Sequence, residues 1–355
     1  MSRLGGLAKA AGIAAGAAAG LSGVSYAGQR LFAARLRRSP DEDGVRALEA
    51  PVYVDRRLEA FDGGSIYLVE SGEGPPIVCI HGFMHSTRTW FHQLEDFPRA
   101  GFRTIAYDHR GHGQSVPGRE GHSVENLALD LRTVLDQLDL RGAVLVGHSM
   151  GGAAVQAFVT QFPDVAAERV AGIVLLSTFA RTPFGAHSTR AKARMEWLGR
   201  RSPDLGWLWS APNLGLVLAR LGFGRDPQPS HVELVRQMLN DCPRETRLDA
   251  AQALIGFDLT DELKSVQMPA LVIGGTADLL TPPAQARLIA RSIPGARLEV
   301  LEGGGHMLML EQTEVVDRMI IDFAHEVGAA DNARTGRPAR PARPERPEQP
   351  ERLAR

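Results

Sequence analysis

The stretch "VLVGHSMGGAAV" (residues 144–155) places one serine between closely spaced glycines, where an apolar strand pattern gives way to a helical one. A side chain at the tip of such a tight strand-to-helix turn stands clear of its neighbours. The strained backbone requires small residues two positions before and after it, and Gly147 and Gly151 occupy them. The following helix directs its N-terminus at Ser149 and favours negative charge there. The pattern therefore predicts a nucleophile beside part of an anion site.

Short apolar runs recur on both sides of this stretch and alternate with helical patterns. The alternation predicts an α/β fold with a mostly parallel central sheet and helices on both faces. Two earlier runs alternate apolar with polar residues and predict an antiparallel hairpin at the sheet edge. The hairpin runs are 52–61 and 65–71, and the apolar runs lie within 75–83, 103–107, 143–149, 170–178, 268–278 and 297–306.

One long interval lacks a strand pattern and divides the chain. Residues 179–258 carry helical patterns punctuated by proline, which predicts a helical cap inserted into the sheet domain. The core is then expected at 51–178 and 259–328. Residues 329–355 are rich in Pro, Arg and Glu and are expected to be a disordered tail.

The N-terminal 50 residues combine an uncharged Ala/Gly-rich stretch with a basic linker. Residues 10–28 have the length of a bilayer-spanning helix but few large apolar side chains. Arginines follow the stretch, which favours a membrane-associated protein with its catalytic domain on the cytoplasmic side. A cleavable signal over residues 1–27, with export, and a helix of a cytoplasmic protein remain open.

Composition and charge limit the kinds of partner and cofactor that the sequence predicts. The formal net charge is −1, so no global basic field indicates nucleic acid. The two cysteines, Cys79 and Cys242, form no disulfide framework, and no Cys/His spacing typical of zinc is present. No glycine-rich dinucleotide motif opens a helix, so we expect neither metal nor cofactor. The sequence indicates no oligomeric state.

Four motifs resemble those of α/β-hydrolase fold serine hydrolases, of the capped lipase and esterase type. Besides the serine turn, "HGFMHS" (81–86) resembles the family's oxyanion-hole loop, and "DHRGHGQS" (108–115) is similar to a signature of monoacylglycerol lipase-like members. "GTADLLTPP" (275–283) and "GGGHMLMLEQ" (303–312) resemble the segments that carry the acid and the histidine. The resemblance covers residues 52–327.

The same acid and base follow from the chemistry of a serine nucleophile. A hydroxyl needs a base within reach, and imidazole can take and return its proton. A carboxylate must then orient the imidazole. Asp278 and His306 follow the fifth and sixth apolar runs, so we expect them on the same rim of the sheet as Ser149. The chain order Ser, Asp, His is the order this fold uses.

Further site residues are expected around these three. The backbone amides of Phe83 and Met150 are the predicted oxyanion donors, with Met84 as the alternative to Phe83 if the register differs by one residue. Asp108, His109 and His112 are interpreted as residues that order their loop, and a role on the substrate side stays open. The resemblance implies that His81 braces the oxyanion-hole loop. The predicted substrate pocket comprises Met84, His148, Trp197, Trp207 and Met307.

These residues predict a serine hydrolase that forms an acyl-enzyme with a small, apolar carboxylic ester, of a lipid-like kind such as a monoacylglycerol or lysophospholipid. Cofactor-free perhydrolysis of the haloperoxidase type and C–C bond hydrolysis use the same triad and remain open. A ligand-binding or signalling protein on a hydrolase scaffold is the alternative from another class.

Overall fold

The computed structural model describes residues 26–49, 53–182, 204 and 206–335. In this part of the chain eight strands form one sheet: β1 (Val54–Glu59), β2 (Ser65–Ser71), β3 (Pro76–Ile80), β4 (Arg103–Tyr107), β5 (Ala143–His148), β6 (Val170–Leu176), β7 (Ala270–Gly275) and β8 (Arg297–Leu301). Their order is β1-β2-β4-β3-β5-β6-β7-β8. β2 pairs antiparallel with β1 and β4, and all other pairs are parallel. The predicted fold class and edge hairpin are confirmed.

Helices account for most of the remaining described chain. In chain order they are α1 (Tyr26–Leu36), α2 (Gln93–Arg99), α3 (Val124–Gln137), α4 (Met150–Gln161), α5 (Pro163–Arg169), α6 (Trp207–Ser210), α7 (Leu214–Arg220), α8 (Pro229–Asp241), α9 (Arg244–Ala253), α10 (Pro283–Ser292), α11 (Leu308–Glu311) and α12 (Thr313–Thr335). Short 3-10 helices cover Gly44–Leu48, Thr87–Trp90 and Glu262–Ser265.

The sheet is covered on both faces. Successive residues of a strand point to opposite faces, and those of β3 divide accordingly between two apolar clusters. Ile77 and Cys79 belong to one cluster, while Val78 and Ile80 belong to the other. Every residue of β5, β6 and β7 is buried. This two-sided burial explains why the central strands read as continuous apolar runs rather than as alternating ones.

The order of the strands reverses around β3, which pairs with β4 on one side and β5 on the other. Ligands of open α/β sheets bind outside the carboxyl ends of the strands at such a switch point. Ser149 directly follows β5 and therefore lies at this place.

The interval between β6 and β7 is helical where the structure describes it. Helices α6 to α9 occupy most of residues 207–253, in agreement with the predicted helical character. The segment leaves and returns at neighbouring points, because Thr182 N donates to Phe257 O (3.0 Å) and Leu259 N donates to Ala180 O (2.9 Å). The predicted helix at 188–200 lies outside the described residues. That the segment is a cap domain stays a prediction.

The two ends differ from expectation where they are described. Helix α1 packs against α7 through buried Ala33 and Leu36, and residues 10–25 of the predicted membrane segment lie outside the described chain. Across the described ranges, no helix has both the length and the apolar character needed to cross a bilayer. Helix α12 continues to Thr335, seven residues into the range 329–355 that the sequence predicts to be a disordered tail. Residues 329–335 contain three alanines and no proline, and the first proline is Pro338.

Helix α4 passes unusually close to β3 and to its own preceding strand. A Cβ atom on Gly151 would lie 2.2 Å from the carbonyl oxygen of Ile80, and one on Gly147 would lie 2.6 Å from that of Gly151. A Cβ on Gly152 would lie 2.5 Å from Thr178 Oγ1. Backbone atoms form the first two contacts and cannot rotate away. The position of α4 therefore depends on glycine at these sites.

We expect Gly151→Ala to lower the free energy of unfolding by ~1–3 kcal/mol, because the added methyl group overpacks a backbone contact. Gly328→Ala is the matched control, since it lies within α12 with no atom near its Cβ position. Alanine there should be neutral or raise stability by up to ~1 kcal/mol. Urea unfolding of both variants measures the difference, and equal midpoints would contradict the steric argument.

Candidate active site

Ser149 is the residue between β5 and α4, and its backbone is strained. Its φ is 53° and its ψ is −116°, a conformation that costs a non-glycine residue of order 1–3 kcal/mol. Two contacts to the neighbouring strand end hold it: Ser149 N donates to Leu176 O (3.1 Å), and Thr178 Oγ1 donates to Ser149 O (2.6 Å). This is the geometry that a nucleophile elbow requires.

The loop after β3 lies directly against this turn. A Cβ atom on Gly82 would lie 2.9 Å from His148 Nδ1 and 3.1 Å from Ser149 Cβ. The next residues are Phe83 and Met84, and Met84 is buried with a φ of 60°. No residue of the described chain accepts a hydrogen bond from the amide of Phe83 or of Met150. The predicted oxyanion donors thus flank the turn with unpaired N–H groups.

Asp278 and His306 meet at the ends of β7 and β8. His306 Nδ1 lies 3.0 Å from Asp278 Oδ2, and both side chains are buried. The hydroxyl of Thr281 donates to the same Oδ2 (2.6 Å) and lies 3.2 Å from His306 Nδ1. The amides of Leu280 and Thr281 donate to Oδ1, each at 2.8 Å. Both carboxylate oxygens of the acid are therefore bound in a fixed orientation.

The environment of Asp278 favours its charged form. Burial alone would raise the pKa of this carboxyl group, but the facing His306 and the hydrogen bonds from Thr281 outweigh burial and hold the pKa below its ordinary value. A carboxylate that stays charged stabilises a proton on the adjoining imidazole.

His148 connects the serine turn to the histidine loop. Its Nε2 lies 2.9 Å from the backbone oxygen of His306, and the two rings are 4.7 Å apart. On its other side the ring stacks parallel to His85 at 5.7 Å. Burial lowers the pKa of His148 well below its ordinary value, so the ring is neutral and donates from Nε2. The contact ties the histidine loop to the residue that precedes Ser149, and no direct hydrogen bond joins Ser149 Oγ to the His306 ring in the described structure.

A buried carboxylate that the sequence analysis missed also shapes the histidine loop. Glu311 accepts hydrogen bonds from the amides of Gly224 (2.6 Å), Gly305 (3.0 Å) and Met307 (2.9 Å). It thereby joins the segment after α7 to both neighbours of His306. Nothing in the motif "GGGHMLMLEQ" indicates this role of Glu311, because its partner Gly224 lies 87 residues away in the chain.

The "DHRGHGQS" loop is built from buried polar side chains. Asp108 accepts from Thr87 N (2.7 Å) and Gln114 N (2.8 Å), and burial raises its pKa to about 6. His109 N donates to His81 Nε2 (2.9 Å), while His109 Nε2 lies 3.0 Å from His81 O. These contacts fix the loop after β4 to the loop after β3, as the loop-ordering interpretation expects.

The predicted pocket residues fall into different environments. Met84, His148 and Met307 are buried around the serine and histidine loops. Trp207 is 59% exposed on α6, which packs on α7 and α8, and its role as a lining residue stays a prediction. Trp197 lies outside the described residues. In the described chain, the His/Asp cluster with metal-ligand spacing contains none of Ser149, Asp278 and His306.

We expect Glu311→Gln to loosen the histidine loop, because an amide can accept from only one side and would set an N–H donor against a backbone N–H. The free energy of unfolding should fall by ~1–3 kcal/mol. Hydrogen exchange of the Gly305 and Met307 amides should become faster. Glu302→Gln, an exposed neighbour in the same loop, is the control. Unchanged exchange in Glu311→Gln would show that the carboxylate does not hold the loop.

Comparison with known proteins supports the fold and the family. Residues 75–313 match the family described as alpha/beta hydrolase fold. A non-heme chloroperoxidase of Kitasatospora aureofaciens is 31% identical over 284 residues, covering 75% of this chain and 98% of the relative. A bifunctional esterase/perhydrolase of Acinetobacter calcoaceticus is 26% identical over 273 residues, covering 74% and 96%.

A solved structure agrees with these relatives. A thermophilic esterase from Thermogutta terrifontis has a TM-score of 0.65 at 28% identity, covering 78% of this chain and 100% of that chain. The resemblance inferred from the motifs is confirmed, and with it the enzyme class of hydrolase. The chain belongs to the α/β hydrolase fold family.

Proposed function

We propose that the protein is a serine hydrolase that cleaves carboxylic esters, with Ser149 as nucleophile, His306 as general base and acid, and Asp278 as the orienting acid. The observation that carries the proposal is the buried contact of 3.0 Å between Asp278 Oδ2 and His306 Nδ1. It lies beside a serine held at a φ of 53° by its fold. Orienting acid, base and strained serine are the parts that acyl transfer requires.

The contact determines which nitrogen acts. With Nδ1 carrying the proton toward Asp278, Nε2 is the nitrogen left free to act as the base. Ser149 Oγ attacks the ester carbonyl as Nε2 takes its proton, and the protonated imidazole then gives that proton to the leaving alcohol. Nucleophile–base hydrogen bonds are often long without substrate and tighten in the Michaelis complex. Thr281, bonded to Asp278 Oδ2, keeps the acid in place throughout.

The tetrahedral intermediate carries its negative charge on the former carbonyl oxygen. In the proposal the unpaired amides of Phe83 and Met150 donate to it, and the N-terminus of α4 favours the charge. Loss of one such donor typically costs about 3–4 kcal/mol. His306 then activates a water molecule, which attacks the acyl-enzyme and releases the carboxylic acid.

A second activity uses the same acyl-enzyme. If hydrogen peroxide replaces water, its attack releases a peroxy acid and regenerates Ser149. Two relatives favour this candidate, since one is named a non-heme chloroperoxidase and another a bifunctional esterase/perhydrolase. Water and peroxide differ only in the second nucleophile, so the residues assigned above serve both reactions. The partner in either case is a small-molecule acyl donor.

The lipid-like substrate remains a prediction. It was inferred from residues 10–28 and from aromatic residues of the helical segment. The described part of that segment places Trp207 in solvent, while Phe223 is buried and its carbonyl region contacts Gly305. A series of acyl chain lengths therefore decides substrate size.

We expect the full-length protein to hydrolyse p-nitrophenyl esters and to be labelled by a fluorophosphonate. Ser149→Ala and His306→Ala should each lower kcat/KM at least about 10³-fold, and Ser149→Ala should abolish labelling. Ser265→Ala and His325→Ala, both exposed, are matched controls. Turnover over chain lengths from acetate to palmitate gives the acyl preference.

Two outcomes separate the candidates. Peroxy acid formation from acetate or an ester with hydrogen peroxide, absent in Ser149→Ala, would establish the perhydrolase reaction beside or instead of ester hydrolysis. A folded wild type that is neither labelled nor active would contradict both, and would favour the ligand-binding alternative.

A further inference from the structure

Three side chains from distant parts of the chain converge in a cluster outside the candidate active site. Asp43 precedes the 3-10 helix Gly44–Leu48, His92 precedes α2, and His231 lies in the first turn of α8. Asp43 Oδ2 is 3.0 Å from His92 Nε2 and 2.8 Å from His231 Nε2. The three ligand atoms all lie within 4.8 Å of one another.

The donor set matches a transition metal. Two imidazole nitrogens and one carboxylate oxygen form a common protein site for Zn²⁺, whereas Mg²⁺ and Ca²⁺ prefer oxygen ligands. Tetrahedral ligands at about 2.0–2.1 Å from zinc lie roughly 3.3 Å apart. Each Asp–His separation in the cluster is within a few tenths of an ångström of that spacing, so small side-chain rotations would admit the ion.

The cluster is enclosed and its parts are held in place. The side chains of Asp43 and His92 are each 10% exposed, and that of His231 is 1% exposed. Gln228, the residue before α8, binds Asp43 through both ends of its amide: Oε1 accepts from Asp43 N (2.9 Å), and Nε2 donates to Asp43 Oδ2 (3.4 Å).

The hydrogen bonds of the cluster leave one of its ring nitrogens without a partner in the described structure. His231 Nδ1 is buried and has no hydrogen-bond partner in the described structure. The side-chain hydrogen bonding of this ring therefore depends on Asp43. Both imidazoles place Nε2 within hydrogen-bond distance of one oxygen, Asp43 Oδ2, which gathers the three ligand atoms within 4.8 Å of one another.

We propose that Asp43, His92 and His231 bind one Zn²⁺ ion, with a water molecule as the fourth ligand. The ion would have a structural role and take no part in the proposed ester hydrolysis, because its ligands include none of the residues assigned to that reaction. The ion would fasten the N-terminal segment to both the sheet domain and the helical segment between β6 and β7. Asp43 and His231 are 188 residues apart, so the metal would close a long loop.

Zinc binding by untagged, full-length protein tests the proposal. After chelator treatment and gel filtration, the wild type should retain one equivalent of added Zn²⁺, measured by elemental analysis, and compete with a chromophoric chelator. Its Tm should rise with added Zn²⁺. Co²⁺ in place of Zn²⁺ should give the visible absorption of a four-coordinate site.

Three variants identify the ligands: Asp43→Asn, His92→Gln and His231→Gln. Each should weaken Zn²⁺ binding at least about 100-fold and remove the metal-dependent rise in Tm. His325→Gln, an exposed histidine, is the control and should bind like wild type. Circular dichroism identifies any variant that fails to fold, and the remaining variants carry the assignment.

The zinc-binding measurements can contradict the proposal in two ways. A folded wild type that binds no stoichiometric Zn²⁺, or that binds it equally in His92→Gln, His231→Gln and His325→Gln, overturns the proposal. The cluster is then a hydrogen-bonded Asp–His–His contact only. Ester hydrolysis measured on the same samples is independent of this outcome, so a negative metal result leaves the proposed function intact.

Discussion

The close approach of α4 to β3 is the constraint on which the candidate site depends. A helix that begins one residue after β5 must pass its first turn over the end of β3, and only glycine leaves room for the carbonyl of Ile80. The same crowding forces Ser149 to a φ of 53°, a backbone conformation that residues other than glycine rarely adopt. The strain is sustained by the surrounding sheet, because Leu176 and Thr178 of the adjoining strand end bind both sides of the serine backbone. The reactive position is thus a consequence of packing between two buried elements.

The histidine loop is held in a comparable way, but by polar contacts. His306 N donates to Gly222 O (2.9 Å), His148 Nε2 bonds His306 O, and Glu311 binds the amides on either side. One contact comes from the serine turn, one from the helical segment and one from α11. A loop of three glycines would otherwise be free to adopt many conformations. The three contacts fix the backbone around His306, from which the imidazole reaches Asp278.

Features that depend on a local sequence pattern could be predicted, whereas contacts between distant parts of the chain could not. The placement of Ser149, Asp278 and His306 beyond the ends of β5, β7 and β8 was predictable, because each follows an apolar strand pattern and the strand ends of a parallel sheet meet at one edge. The contacts of Glu311 and of the cluster were not predictable, since no local spacing connects their members. Gly224 lies 87 residues from Glu311, and Asp43 lies 49 residues from His92 and 188 from His231. Trp207 shows a limit of a different kind. Its aromatic character favours a pocket residue, and the structure places it, 59% exposed, on a four-residue helix, so its role in a pocket stays a prediction.

Several histidines surround the candidate active site, and burial explains why most of them stay neutral. Burial is the main cause of a lowered pKa in five imidazoles of the serine and loop regions: His81, His85, His109, His112 and His148. These rings are neutral at pH 7, so each can serve as a hydrogen-bonding strut without adding positive charge. The neutrality of His148 matters most, because its ring is 4.7 Å from that of His306. In the proposed reaction, no neighbouring imidazolium opposes the positive charge that His306 gains with the serine proton, and the anionic Asp278 stabilises that charge. The buried neutral histidines therefore support the proposal that a single, carboxylate-paired ring transfers the proton.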